Sequence, residues 1–202
     1  AVPEAFITAF DALTLQAGMR TGQTVLIHAV GSGVGTAALQ WCKAIGATAI
    51  GTARTASKLE RCKALGLDVV ILVDGNAPKF AAEVKADIAL DLVGGHYFGE
   101  TVEAMAFGGT IMLVGLTAGI TAEVNLRTIL SQRLKVIGTT LRSRTLDQKI
   151  AVAEAFSQQV FPHLAAKRLQ PVVDSVVPLT QIKEALNRLA ANETFGKVVV
   201  TL

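Results

Sequence analysis

Residues 24–40, TVLIHAVGSGVGTAALQ, decide the fold. An apolar, β-branched run leads into Gly31, Gly33 and Gly35, and a small-residue segment follows, closed by Gly46. That order predicts a strand, a tight turn and a helix. At such a turn glycine lets backbone approach a pyrophosphate, and the unpaired N–H groups of the helix start favour its charge. A bare strand-to-helix turn uses glycine in the same way, so the loop alone leaves both readings open.

Outward from this unit the alternation repeats. TAIGTA (48–53) reads as a second strand, SKLERCKALG (57–66) as a helix capped by Ser57, and DVVILV (68–73) as a third strand. ADIALDLVGG (86–95), GTIMLVGL (109–116) and LKVIGTTL (134–141) supply three more. Uninterrupted apolar strands alternating with helices predict an α/β fold, a doubly wound parallel (Rossmann) sheet of about six strands, with ligands at the strand C-terminal rim. Before it, EAFITAFDALTLQAG (4–18) reads as one helix, with Pro3 in its first turn. After Arg144 come a long amphipathic helix (146–167), a strand (170–179), a Thr-capped helix (180–192) and a last strand (196–202). This tail breaks the alternation, and its strands need a sheet that is not clearly the first one.

Composition narrows the function classes. Of 202 residues, 51% are hydrophobic and 17% charged, so a large core forms and disorder is excluded. The mean hydropathy of +0.48 has two explanations, a sheet covered on both faces or an apolar surface meant for another domain or subunit. No run of roughly 18 apolar residues exists to span a membrane. The net charge of +3 is small and its cations are scattered, which argues against nucleic acid. Cys42 and Cys62 form no metal or disulfide pattern and fit a reducing, cytoplasmic setting. The start at Ala1 reads as internal to a longer chain.

The end of the second strand tests the cofactor. An NAD site usually has an acid there for the ribose 2′-hydroxyl. Here the residues are Ala53, Arg54, Ser57 and Lys58, with no carboxylate before Glu60. Arg54 and Lys58 can pair a 2′-phosphate, which favours NADP(H); solvated charges at a helix start are the plainer alternative. No Ser-His-Asp or Cys-His arrangement is legible, and the catalytic residues stay unassigned. His28 reads as a core histidine bonded to backbone, His96 as a solvated position at a helix start, His163 as a turn residue. Tyr97 reads as helix packing and Asp91 as a cap at a strand end.

Several ordered blocks, SGVGTAALQ, LDLVGG, GGTIMLVGL, LRSR and FGKVVV, resemble the quinone oxidoreductase (zeta-crystallin-like) branch of the medium-chain dehydrogenase/reductase superfamily. The resemblance implies a connecting helix at 1–20 and a dinucleotide-binding Rossmann domain at 21–160. It further implies that 161–202 is the C-terminal segment of a GroES-like catalytic domain that is largely absent. It places Thr8 beside the nicotinamide, Ser32, Gly33, Val34 and Gly35 at the pyrophosphate, and Ala53, Ser57 and Lys58 at the 2′-phosphate. Gly94, Gly115 and Leu116 fall near the ribose and nicotinamide. Leu141, Arg142 and Ser143 belong to the loop that meets the carboxamide, and Gly196 and Lys197 to a cofactor-side turn.

The resemblance implies reduction of a quinone or other electrophilic acceptor by NADPH. Reduction of enals or enoyl thioesters, or a nucleotide-binding module without catalysis, are the alternatives. It also implies a homodimer through the sixth-strand edge. Two departures stand out. The tyrosine expected near the third strand's end falls at Val73, and the zinc-ligand cysteine of related alcohol dehydrogenases is replaced by Glu4, which implies zinc-independent chemistry.

Overall fold

The computed structural model describes residues 2–202. Six strands, β1 (Thr24–Ile27), β2 (Thr48–Ala53), β3 (Val69–Leu72), β4 (Ala86–Asp91), β5 (Met105–Leu113) and β6 (Lys135–Gly138), form one sheet in the order β3-β2-β1-β4-β5-β6. Every pairing is parallel, and β1 takes both neighbours, with Val25 opposite Ala49 on one side and Ile88 on the other. The doubly wound sheet expected from the sequence is present.

Val25, Leu26 and Ile27 are fully buried because helices cover both faces of the sheet. On one face α1 (Val2–Phe10), α2 (Gly33–Ile45) and α6 (Leu146–Gln159) bury Phe6, Phe10, Trp41 and Phe156. Phe10 meets Trp41 and Phe156 edge-on at centroid distances of 5.7 and 6.0 Å. The other face buries Ile71, Phe80, Tyr97, Met105 and Ile111, beside α4 (Tyr97–Glu103) and α5 (Leu126–Gln132). Each fully buried Phe or Ile contributes roughly 1.5–3 kcal/mol.

Local chemistry moves several expected boundaries. The first helix divides into α1 and a π-helical stretch, Asp11–Gln16. The wider turn brings Gln16 Nε2 within 2.6 Å of Asp11 Oδ2, five residues back. Asp11 is buried and chelated by Arg144, at 2.7 Å from Nη1 and 2.6 Å from Nη2. The helix after β2, α3 (Ala56–Lys63), has Thr55 at its N-cap, so Ser57 lies in its first turn and is not the cap. Thr145 caps α6 in a reciprocal capping box with Gln148. The long helix expected over 146–167 breaks at Val160, and α7 (Phe161–Ala165) starts afresh with Pro162 in its first turn.

The tail forms its own sheet. β7 (Val173–Pro178) and β8 (Lys197–Thr201) pair in parallel, joined by a 3₁₀ turn (Leu179–Gln181) and α8 (Ile182–Ala190). Gln181 precedes α8, so Thr180 does not cap it. The main sheet is covered on both faces, as the first explanation of the high hydropathy expects, and Ile120, Leu126 and Leu130 are exposed. No described helix is long and apolar enough to cross a membrane.

Candidate functional site

A cleft of about 900 Å³ opens at the C-terminal rim of the sheet. Its floor is the loop after β1. Ala29 takes a left-handed φ of 47°, Ser32 Oγ caps α2 by accepting from Gly35 N at 3.0 Å, and Gly33 begins the helix. Gly35 is a steric requirement, since a Cβ there would lie 2.5 Å from Ala29 O and 2.7 Å from Val30 Cα. The start of α2, with its unpaired first N–H groups, borders the cleft at Ser32 and Gly33.

The walls come from the other strand ends. Thr52, Ala53, Arg54 and Lys58 form the side beyond β2, and Val73, Gly75 and Asn76 the side beyond β3. His96 and Tyr97 close the end beyond β4; His96 Nε2 donates to Gly75 O at 2.6 Å, linking two walls. The last wall is the turn between α8 and β8. Gly196 N donates to Gly31 O at 2.9 Å, Gly196 bridges to Ser32, and Lys197 lies across Gly33 where a Cβ would collide with its methylenes.

Electrostatics mark one corner. Lys58 Nζ donates to Asn192 O at 2.7 Å and Asn192 Oδ1 at 2.6 Å. Its pKa is lowered by burial and then by the charge of Arg54; Asp174 opposes them, and Arg61 adds a smaller lowering. Arg61 stacks on Phe195, 4.0 Å from the ring centroid. This corner is a group of cations with Asp174 as the acid that acts on Lys58, a suitable place for a phosphate.

Of the residues expected at the site, Ser32, Gly33, Ala53, Arg54, Lys58, Gly196 and Lys197 line the cleft. Val34, Gly35 and Ser57 sit just behind it on α2 and α3, and Val73, where a tyrosine was expected, lines it. The remaining expected residues do not line it. Thr8 donates to Glu4 O at 2.6 Å within α1. Gly94 holds a positive φ of 63° and bridges to Gly119, Gly115 N donates to Asp91 O at 3.2 Å, and Leu116 is exposed. Leu141, Arg142 and Ser143 form the turn after β6, where Arg142 O accepts from Lys149 Nζ at 3.1 Å. Asn192, Thr194, Thr117 and Ala118 are cleft residues that sequence reasoning missed.

The other candidates resolve individually. His28 is a core residue, but its partners are threonine hydroxyls and not backbone. Thr101 Oγ1 donates to Tyr97 O at 2.9 Å, so it accepts from His28 Nε2–H at 2.8 Å, leaving Nδ1 to accept from Thr52 at 2.9 Å. Burial pushes the imidazole pKa down, against a smaller upward effect of Asp91, and the ring is neutral. Asp91 Oδ1 accepts from the N–H groups of Val93 and Gly94, each at 2.8 Å, and so shapes the turn after β4. His163 lies in α7, edge-on to Trp41. Tyr97 packs on Phe80 and His28 and lines the cleft with its helix start.

The parallel order, the glycine loop and the open rim define a dinucleotide-binding α/β domain. Residues 33–158 match the zinc-binding dehydrogenase family, and the chain belongs to it, in the medium-chain dehydrogenase/reductase group that its motifs resemble. It is 28% identical over 204 residues to human quinone oxidoreductase, covering 98% of this chain and 60% of the relative. A quinone oxidoreductase from Thermus thermophilus, solved alone and with NADPH, is 29% identical with a TM-score of 0.84 over 99% of this chain and 64% of that one. An NAD-dependent alcohol dehydrogenase is 31% identical with a TM-score of 0.83 over 100% of this chain and 57% of that one. The chain spans 52–60% of the curated relatives named quinone oxidoreductase or synaptic vesicle membrane protein VAT-1 homolog-like.

The family's name invites a test for zinc. Among the described residues, no group of three or more His, Cys, Asp or Glu is placed to hold a metal ion. Both thiols are buried, and burial pushes Cys42 to about 12 and Cys62 to about 11, far from the thiolate that zinc requires. These residues do not fit a zinc site.

Proposed function

We propose that this chain is the NADP(H)-binding part of a zinc-independent quinone oxidoreductase. The observation that carries the reading is the corner beyond β2, where Arg54 and Lys58 line the cleft and no carboxylate stands for a ribose 2′-hydroxyl. The similar solved structures include an NAD-dependent alcohol dehydrogenase and a quinone oxidoreductase in complex with NADPH, and the corner supports NADP(H) for this chain. The N–H groups at the start of α2, with Ser32 and Lys197, would hold the pyrophosphate; Arg54 and Lys58 would hold the 2′-phosphate. Ala53 leaves room there, with Ser57 behind it. Thr8, Gly94, Gly115, Leu116 and the Leu141–Arg142–Ser143 turn would serve the nicotinamide half. The bound nicotinamide supplies the hydride, and the residues of this chain orient it and exclude water.

Residues 161–202 would return to a catalytic domain that covers the acceptor. Exposed Leu126, Leu130 and Val136 support pairing of two chains across the β6 edge, and the protonated buried thiols suit a cytoplasmic setting. Calorimetric titration of this chain with NADPH and NADH tests the corner: NADPH binds at least about tenfold tighter, a difference of ~1.4 kcal/mol. Equal affinities sink the assignment of Arg54 and Lys58. NADPH oxidation by the whole protein tests the acceptor; faster turnover of enals or enoyl thioesters than of quinones replaces the substrate class.

A further inference from the structure

The Lys58 ammonium has three N–H groups, and Asn192 takes two of them. Asn192 sits one residue past the C-cap of α8 with φ 59°, its N–H on Leu189 O at 3.1 Å and Glu193 N on Arg188 O at 3.1 Å. A left-handed helix end of this kind is usually glycine, with asparagine the next choice. The backbone geometry therefore explains why a permissive residue stands here, but not why it has a side-chain oxygen 2.6 Å from Lys58 Nζ. The carbonyl at the end of α8 adds a second acceptor at the negative pole of that helix.

Lys58 needs such a hold. Arg54 and Arg61 repel it, and a lysine on a flexible stem would otherwise swing into solvent. Asn192 keeps it half-buried at the cleft wall, without adding a charge that would compete with a phosphate. We infer that Asn192 is a positioning residue for 2′-phosphate selectivity, holding Lys58 by two oxygens so that its third N–H is free for the phosphate. The inference rests on the NADP(H) reading of the corner, and names what makes Lys58 selective.

The test uses 2′,5′-ADP and 5′-ADP as probes, titrated calorimetrically into this chain and its variants. Asn192→Gly keeps the left-handed turn and the main-chain carbonyl and removes the side-chain amide, and with it the Oδ1 contact to Lys58. It weakens 2′,5′-ADP about fivefold to tenfold, leaves 5′-ADP unchanged and leaves the melting temperature near that of the parent. In a Lys58→Ala background the same change has no further effect on 2′,5′-ADP, because Asn192 acts only through the lysine. If Asn192→Gly weakens both probes equally, or weakens neither, Asn192 is a turn residue and the inference is overturned. If Lys58→Ala itself leaves the 2′,5′-ADP to 5′-ADP ratio unchanged, the 2′-phosphate corner fails, and the inference with it.

Discussion

Strands β1 and β8 are both short, rich in β-branched residues and paired in parallel, yet Val25 is fully buried and Val198 to Val200 are only half covered. Residue type does not separate them; coverage does. β1 has a strand on each side and helices on both faces, whereas β8 has one neighbour, β7, whose Val176 is 61% exposed. A two-stranded sheet is marginal by itself. This one is tied to the main domain by Phe195 in the core, the Gly196–Gly31 hydrogen bond and the Lys58–Asn192 contacts. The cleft is the seam between a self-sufficient sheet and a dependent one, and a cofactor lying in it would touch both.

The comparison is broken most severely from the self-sufficient side. Arg144→Met strands the Asp11 carboxylate, which is 2% exposed, without its bidentate partner. Loss of about 3–5 kcal/mol is expected from urea unfolding, because a buried charge left unpaired costs far more than the pair contributes. A loss under about 1 kcal/mol would mean that Gln16 alone suffices for Asp11. Next in size is Gly35→Ala, which drives a methyl group into Ala29 and Val30 and costs about 1–3 kcal/mol. Gly138→Ala is its control: nothing lies within 4 Å of the added carbon, so the change stays within about 0.5 kcal/mol. Equal effects at the two glycines would show that the loop yields, and that the main domain is less rigid than its burial implies.

What the sequence made legible follows the same division. Alternating buried strands and helices were readable because parallel strands covered on both faces are continuously apolar, and Gly46 ended α2 with a φ of 80° as its position suggested. The π-helical stretch was hidden, because one widened turn scarcely alters apolar spacing while it re-aims Asp11. The early start of β5 was obscured by Phe107-Gly108-Gly109, where the register shifts against β4 between Ala86 and Ile88. For the site, the glycine loop and the Arg54–Lys58 corner were local and therefore visible. Asn192 was not, since it reaches Lys58 across 134 residues and nothing near it in sequence signals a partner. The fourth wall of the cleft is a tertiary fact.

The smallest effect, and the one that separates the two regions most finely, is acid. His28 in the main domain is held neutral by burial, which outweighs the charge of Asp91. An unfolded histidine takes a proton near pH 6.5 and the folded one resists it, so this contribution is complete above about pH 6.5 and declines as pH falls toward the folded value. Asp174, which ties β7 to Arg188 of α8 and to Phe195 N within the tail, is raised by burial, but those hydrogen bonds and that of Ser175 outweigh it and its net pKa is lowered. Its contribution is complete above about pH 3.9 and lost only as pH falls further, through the folded value. Between pH 6.5 and 5, amide exchange should therefore show the opening free energy of β1, β2 and β4 falling, by no more than about 1.4 kcal/mol per pH unit. Amides of β7 and β8 open locally at lower cost throughout, and hold that lower value until about pH 4. His28→Gln should flatten the first slope without touching the second. If all strands share one slope, the tail unfolds only with the main domain, and the seam is a core and not a boundary.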